Sequence, residues 1–308
     1  MNTLAIDIGA TKIALALCDG SFNLTHRKQI SSQHEPTVES DPNDSLWESL
    51  KRELISYTDQ PINHIGVASA GPIDCVTGTV SPVNITQWRD FPLIERISQI
   101  FPDIPISMLG DCSALALAEH TIGAAKDHKN VLGVVVSTGI GGGLVINGKV
   151  HLGRSGNAAM IGHHSIAFTS DRICVCGRTG CLEEFTRGPK MVEAAKKEGW
   201  IGGDDFQSLA TSARAGDQIA LAAIDAGIAA LAVGITNALM IADVNTVVIG
   251  GGVSFAGDIF WSPLRKHLKR EAALAGYLDE LNILAANLGA DAGLLGAAIH
   301  ARTAIYPT

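Results

Sequence analysis

Ten residues near the middle of the chain, Cys174-Val-Cys176-Gly177-Arg-Thr-Gly180-Cys181-Leu-Glu183, constrain it most. His163 precedes the first of these cysteines by eleven residues. Three thiolates and one imidazole make a full tetrahedral ligand set for Zn²⁺, with no position left for water. Such a closed site holds a fold together and does no chemistry itself. Cys174 and Cys176 can clasp a metal from a tight turn, Gly177 and Gly180 let the backbone curl, and Cys181 returns to it. The alternative is three ordinary buried cysteines. Against that stands the clustering, because half of the chain's 6 cysteines fall within this one segment, beside two glycines.

The rest of the chain reads as an α/β pattern. Leu4 to Ile8 is an apolar run that enters a tight turn at Gly9-Ala10-Thr11-Lys12, and Ile13 to Leu17 reads as the returning strand. Val131 to Val136, Ser137-Thr138-Gly139-Ile140-Gly141-Gly142-Gly143 and Leu144 to Ile146 repeat that design. Two units of one design predict two similar halves. Further strands are expected at Ile65–Ser69, Pro105–Leu109, Thr246–Ile249 and Ile283–Ala286. Helices are expected at 42–56, Pro92–Ile100, Cys112–Glu119, throughout Pro189–Ala242, and at Ala292–Arg302.

A net charge of −8 argues against general binding to nucleic acid or an anionic membrane, which calls for a basic face. The densest basic run, Arg265 to Arg270, has the spacing of a solvated helix face. The apolar stretch Ile219–Val233 contains Asp225 and is short for a membrane span, so a core helix is expected. No signal peptide is expected from the first residues. Metal-ligating thiols fit a reducing compartment, and a cytoplasmic location is expected.

The cysteine segment, with Gly162-His163 before it, resembles the signature of the ROK family, C-x-C-G-x-x-G-C-x-E after a Gly-His pair. That family contains sugar kinases, repressors and proteins of unknown role. The resemblance runs from Asp7 to about Ala298. It implies an actin-like (ribonuclease H-like) two-domain α/β sugar kinase with a cleft between domains. A small N-terminal domain is expected over 1–110, joined by the C-terminal helix at about 294–308. A large domain carrying the zinc-binding segment 163–183 is expected over 111–293. The implied reaction is ATP-dependent phosphorylation of a hexose-like carbohydrate, with Mg²⁺ and a structural Zn²⁺. A homodimer is implied as well.

Residue by residue, the resemblance assigns roles. Asp7 would orient Mg²⁺ through water. Gly9, Ala10, Thr11 and Lys12 would form one phosphate cradle, and Thr138, Gly139 and Gly141 a second. Ala10 stands where a glycine is common. Gly251 and Gly252 resemble the adenosine-binding turn. Gly293 and Gly296 either belong to a nucleotide-side segment or permit close packing. Asp111, at the junction of a strand and a helix, is by position a common helix cap. By resemblance it is the general base that accepts the sugar hydroxyl's proton. Asn84, Gly110, Asp111, Met160, His163 and Glu183 would line the acceptor site. His163 serves both zinc and sugar, and the zinc ligands are His163, Cys174, Cys176 and Cys181.

Two positions depart from the family. Gly110 replaces an asparagine before the base, and Met160 replaces a glutamate before Gly162-His163. Both lost residues hydrogen-bond sugar hydroxyls, so an amino sugar, an N-acylhexosamine or a cyclitol is expected over glucose. The competing readings are a plain glucokinase and a non-catalytic sugar sensor on the same fold. A repressor's N-terminal DNA-binding module is not expected, and nothing in the charge supports polyphosphate as donor.

Overall fold

The computed structural model describes residues 2–32, 42–276, 278 and 280–304. The last residues of the expected terminal helix, 305–308, lie outside them. The chain divides into two compact units, Met1–Ala118 with Val150–Ala158 and Ala290–Thr308, and Glu119–Lys149 with Ala159–Gly289.

In the first unit the opening apolar run is β1 (Thr3–Ile8), which turns into β2 (Lys12–Cys18) and β3 (Leu24–Ser31). There follow α1 (Pro42–Ile55), β4 (His64–Ser69), a small hairpin of β5 (Ile73–Asp74) and β6 (Thr79–Val80), α2 (Leu93–Ser98), β7 (Ile106–Gly110) and α3 (Asp111–Thr121). The sheet order is β3-β2-β1-β4-β7. β1 runs antiparallel to β2 and parallel to β4, which is parallel to β7. Every residue of β4 is buried, as befits a central strand covered on both faces. The C-terminal helix, Ala292–Thr303, lies on this sheet so closely that a Cβ on Gly66 would stand 2.1 Å from the Ala297 carbonyl oxygen.

The second unit repeats the plan. Its elements are β8 (Val131–Val136), β9 (Ile140–Ile146), β10 (Lys149–Val150), α4 (Glu183–Thr186), α5 (Gly188–Lys197), α6 (Phe206–Arg214), α7 (Gln218–Ala242), β11 (Thr246–Gly250), α8 (Asp258–Ala275) and β12 (Asn282–Ala285). The order β10-β9-β8-β11-β12 matches the first sheet, again with an antiparallel hairpin and then parallel neighbours. The helical pattern expected across Pro189–Ala242 is three helices. It breaks where Gly199, Gly202, Gly203 and Gly216 interrupt it. Among the described residues α7 is the one helix long and apolar enough to cross a membrane. Ile224, Ile228, Leu231, Ile235 and Leu239 lie buried along it at helical spacing, which makes it a core helix.

The division between units differs from the expected 110/111 boundary. The start of α3 stays with the first unit because Gly296 of the C-terminal helix packs on it. A Cβ on Gly296 would stand 2.0 Å from the Ala114 carbonyl oxygen. Residues 150–158 join the same unit through Asn157, whose side-chain oxygen accepts from Ile73 N (3.0 Å) while its Nδ2 donates to Ile73 O (2.6 Å). In the second unit the buried Glu119 accepts three backbone N–H groups, from Ala124 (2.8 Å), Asn287 (2.9 Å) and Leu288 (2.8 Å). A buried carboxylate so satisfied ties the end of α3 to the segment before the C-terminal helix.

Candidate active site

The first turn is closed by Gly9 N–H donating to the Lys12 carbonyl at 2.9 Å. Gly9, Ala10 and Lys12 are partly buried and Thr11 is exposed, so the turn presents its backbone and one hydroxyl to solvent. Asp7, at the end of β1, lies beside Asp111, the first residue of α3. Burial, and then the Asp111 charge, push the Asp7 carboxyl up to about 7, against the pull of Lys12. Burial also raises Asp111, opposed by hydrogen bonds from the Cys112 N–H and thiol. The Cys112 N–H donates to Asp111 Oδ1 at 2.7 Å. A capping aspartate accepts from the N–H two or three residues on. Asp111 accepts instead from its own N–H and from Cys112.

Gly293 decides the fit of this pair. A Cβ there would stand 2.4 Å from Asp7 Oδ2 and 2.5 Å from its Cγ. The C-terminal helix thus meets the Asp7 carboxylate at a position that carries no side chain. Two neighbouring carboxylates with raised proton affinity suit a divalent cation, which would relieve their repulsion.

This geometry gives a pH-dependent stability. The folded Asp7 keeps a proton that the unfolded chain, with the ordinary value of 3.8, has already lost. Its stabilising contribution is therefore full below about pH 4 and is lost as the pH rises to about 7. Without nucleotide or Mg²⁺, Asp7→Asn is expected to be more stable than the native protein at pH 8 by on the order of 1–3 kcal/mol. The two proteins should converge at pH 4. Urea unfolding at both values checks this, and equal stability at pH 8 contradicts it.

In the second unit, Ser137 N–H donates to the Gly139 carbonyl (3.0 Å), and Ser137 O accepts from Gly188 N–H at the start of α5 (3.0 Å). Thr138 is exposed, and Gly139 and Gly141 are partly buried. Buried Glu183 meets this turn, with Oε2 accepting Ile140 N–H at 2.9 Å. The turn after β11 lies alongside, since a Cβ on Gly251 would stand 2.4 Å from Val136 O. Gly252 follows, with Ser137 Oγ 3.7 Å from where its Cβ would be. The sequence-predicted nucleotide residues of this unit, Thr138, Gly139, Gly141, Gly251 and Gly252, therefore form one neighbourhood with Glu183.

The four cysteine and histidine donors converge as well, with all ligand atoms of His163, Cys174, Cys176 and Cys181 within 4.8 Å of one another. His163 Nδ1 is 3.4 Å from Cys174 Sγ, and Cys176 Sγ is 3.6 Å from Cys181 Sγ. A tetrahedral Zn²⁺ with ordinary bond lengths separates such pairs by about 3.5 and 3.8 Å. A disulfide would need about 2.05 Å. The residues present fit zinc. Gly180 makes the return possible, at φ +69°, with the Ala167 carbonyl oxygen 1.9 Å from where a Cβ would be. The Nδ1 side of His163 faces the Cys174 sulfur. Neighbouring His164, expected at the surface or in a supporting role, is partly buried, and its Nε2 has no hydrogen-bond partner.

Gly110 and Asn84 belong to the first unit and Met160 to the second. Gly110 ends β7 directly before Asp111, and the atom nearest to a Cβ placed on it would be Gly156 O, at 3.7 Å. Asn84 is exposed on the loop that Ser81 and Val83 anchor to Pro72 and Gly71. Met160 caps the short helix Ile161–His163, and its carbonyl accepts from His163 N–H at 3.1 Å. Sequence reasoning missed Asn157, Cys112 and the Asp7–Gly293 contact. The first two sit close to singled-out motifs but take their meaning from partners that the motifs do not include.

Two sheets of one order, each opened by a glycine hairpin, with two neighbouring aspartates in one unit and a cysteine–histidine cluster in the other, are those of an actin-like sugar kinase. The chain belongs to the ROK family, whose sequence profile matches residues 3–304. It is 34% identical over 303 residues to an N-acetylmannosamine kinase of Escherichia coli, covering 98% of this chain and 99% of the relative. It is 29% identical over 319 residues to a glucokinase of Streptomyces coelicolor, covering 97% of each. The ROK hexokinase of Thermus thermophilus superposes with a TM-score of 0.84 at 31% identity, over 99% of each chain. A ROK glucokinase of Streptomyces griseus, solved with glucose and AMPPNP, gives 0.81 at 28% identity, over 98% of this chain and 99% of that one. The fold is accordingly the actin-like two-domain fold, and the protein is an ATP-dependent sugar kinase.

Proposed function

We propose that this kinase phosphorylates a hydroxyl of an amino sugar, an N-acylhexosamine or a cyclitol in preference to glucose, with Asp111 as general base. The observation that carries the preference is the pair Gly110 and Met160. One carries no side chain directly before the base, where a Cβ would meet only ordinary contacts with Gly156 O and Ser113 Oγ, and the other is an apolar residue at the start of the His163 turn. The 34% identity to an N-acetylmannosamine kinase supports the reading.

In this mechanism Asp111, raised in proton affinity by burial, accepts the acceptor hydroxyl's proton as that oxygen attacks the γ-phosphorus. Backbone N–H groups of the Gly9–Lys12 turn and of Thr138–Gly141 hold the ATP phosphates, and Gly251 and Gly252 admit the adenosine. Asp7 would hold Mg²⁺ through water, and the ion, when bound, neutralises charge developing on the phosphoryl oxygens. Asn84, Glu183 and His163 Nε2 bind acceptor hydroxyls. His163, Cys174, Cys176 and Cys181 would hold Zn²⁺, which would fix the imidazole's orientation. The protein works as a cytoplasmic homodimer.

Restoring the two lost polar groups tests the preference. Each unpaired hydroxyl in a buried site costs on the order of 1–3 kcal/mol, so two cost glucose roughly 10²–10⁴-fold in kcat/KM. Gly110→Asn with Met160→Glu is expected to recover much of that for glucose while lowering kcat/KM for the native acceptor class. A Cβ at Gly110 would meet its neighbours at no less than 3.7 Å, so the first atom of the new side chain is accommodated. A double variant with unchanged selectivity contradicts the role of these positions.

A further inference from the structure

We propose that Glu183 is a positioning residue for the nucleotide, its carboxylate pinning the Thr138–Gly141 turn in the shape that receives phosphate. This rests on the reading of that turn as a phosphate cradle, and it gives Glu183 a task separate from the acceptor. Ser137 N–H donates to Gly139 O at 3.0 Å, which makes Ser137 and Gly139 a hydrogen-bonded pair across the hairpin. The next pair, Val136 and Ile140, is then a non-hydrogen-bonded one, and the Ile140 N–H points away from β8. Ile140 is buried, so this N–H needs a partner within the protein. Glu183 Oε2 supplies it at 2.9 Å, in a buried bond.

The same carboxylate accounts for Gly139. A Cβ there would stand 2.9 Å from Glu183 Oε2, so the turn holds a glycine where the carboxylate reaches in. Helix α4, which begins with Glu183, grips the turn from a second side. Gly188, just beyond its end, donates its N–H to Ser137 O at 3.0 Å. Before it, Leu182 is fully buried against α7, where a Cβ on Gly234 would stand 2.4 Å from Leu182 Cδ2. These bonds fix Ser137 and Ile140, the residues on either side of Thr138 and Gly139. The N–H groups of Thr138 and Gly139 donate to no group among the described residues and remain for phosphate oxygens. Without the carboxylate the buried Ile140 N–H is left unpaired, and the turn shifts to satisfy it.

Binding of AMPPNP with Mg²⁺, measured by calorimetry without any acceptor, tests this. Glu183→Ala is expected to raise the Kd about 5–20-fold. Glu183→Gln keeps an oxygen for the Ile140 N–H and should bind no more than about 2-fold more weakly than the native protein. Gly139→Ala reaches the same contact from the turn, because its methyl displaces the carboxylate, and it leaves Glu183 and the cysteine segment unaltered. It should raise the Kd by itself, yet add no more than about 2-fold to Glu183→Ala. A native Kd in Glu183→Ala, an equal loss in Glu183→Gln, or fully additive losses in the double variant overturns the proposal.

Amide hydrogen exchange separates the positioning role from the reading beneath it. Exchange in the Thr138–Gly141 turn should quicken in free Glu183→Ala and not in Glu183→Gln, and AMPPNP should slow it in the native protein. No protection by the nucleotide sinks the cradle and the proposal with it. Protection together with an unchanged Kd in Glu183→Ala sinks the positioning role alone.

Discussion

Asp111→Asn is expected to lose about 10²–10⁴-fold in kcat while binding its acceptor with nearly native affinity. The substitution is close to isosteric, and the amide oxygen can still accept the Cys112 N–H that Asp111 Oδ1 accepts at 2.7 Å. Helix α3 should therefore keep its start, and the melting temperature should hold or rise, because an ionised group beside Asp7 is gone. Turnover separates a base from a cap. Asparagine caps a helix about as well as aspartate, so a cap replaced in this way leaves both stability and chemistry alone. A base so replaced loses the chemistry while the fold holds. Turnover by ADP release, acceptor binding by calorimetry and thermal melting on one preparation read all three quantities.

Removal of zinc is expected to have the second largest effect. One Zn²⁺ per chain should be found by metal analysis of protein purified without chelator. Cys176 is the exposed member of the set, so Cys176→Ser disturbs little packing when it removes a ligand. A metal held at about 1,000 times its Kd contributes about 4 kcal/mol, and each kcal/mol moves a melting temperature by about 2–4 °C for chains of this order. Stripping the metal or replacing Cys176 should therefore lower the melting temperature by about 10 °C. The acceptor's KM should rise in step, because His163 would lose the bond that fixes its ring. Protein that contains no zinc and a variant that melts like the native chain would contradict the ligand set.

Much of this was legible because it is local. The turns at Gly9–Lys12 and Ser137–Gly139 are short hairpins between apolar runs, and their glycines announce them. The cysteine cluster is legible for the same reason, since three of its four ligands lie within one turn and its return. The Pro189–Ala242 region reads as one helical stretch because apolar periodicity survives the breaks, whereas the glycines between α5, α6 and α7 end each helix. What the sequence does not display is closure at a distance. Gly293 is a small residue in an alanine-rich helix until the structure sets it against Asp7, more than 280 residues earlier. Glu119 reads as the polar end of a helix, yet its carboxylate holds the backbone of Asn287 and Leu288. Asn157 is one loop asparagine among several until it pairs with both backbone groups of Ile73.

The acceptor preference is tested most directly by kcat/KM from ADP release over glucose, mannose, hexosamines, N-acetylhexosamines and cyclitols, measured at saturating ATP and Mg²⁺. Gly110 beside the base and Met160 in the His163 turn predict that an amino sugar, an N-acylhexosamine or a cyclitol exceeds glucose by roughly 10²–10⁴-fold. Glucose phosphorylated as efficiently as any other acceptor in the panel would contradict it.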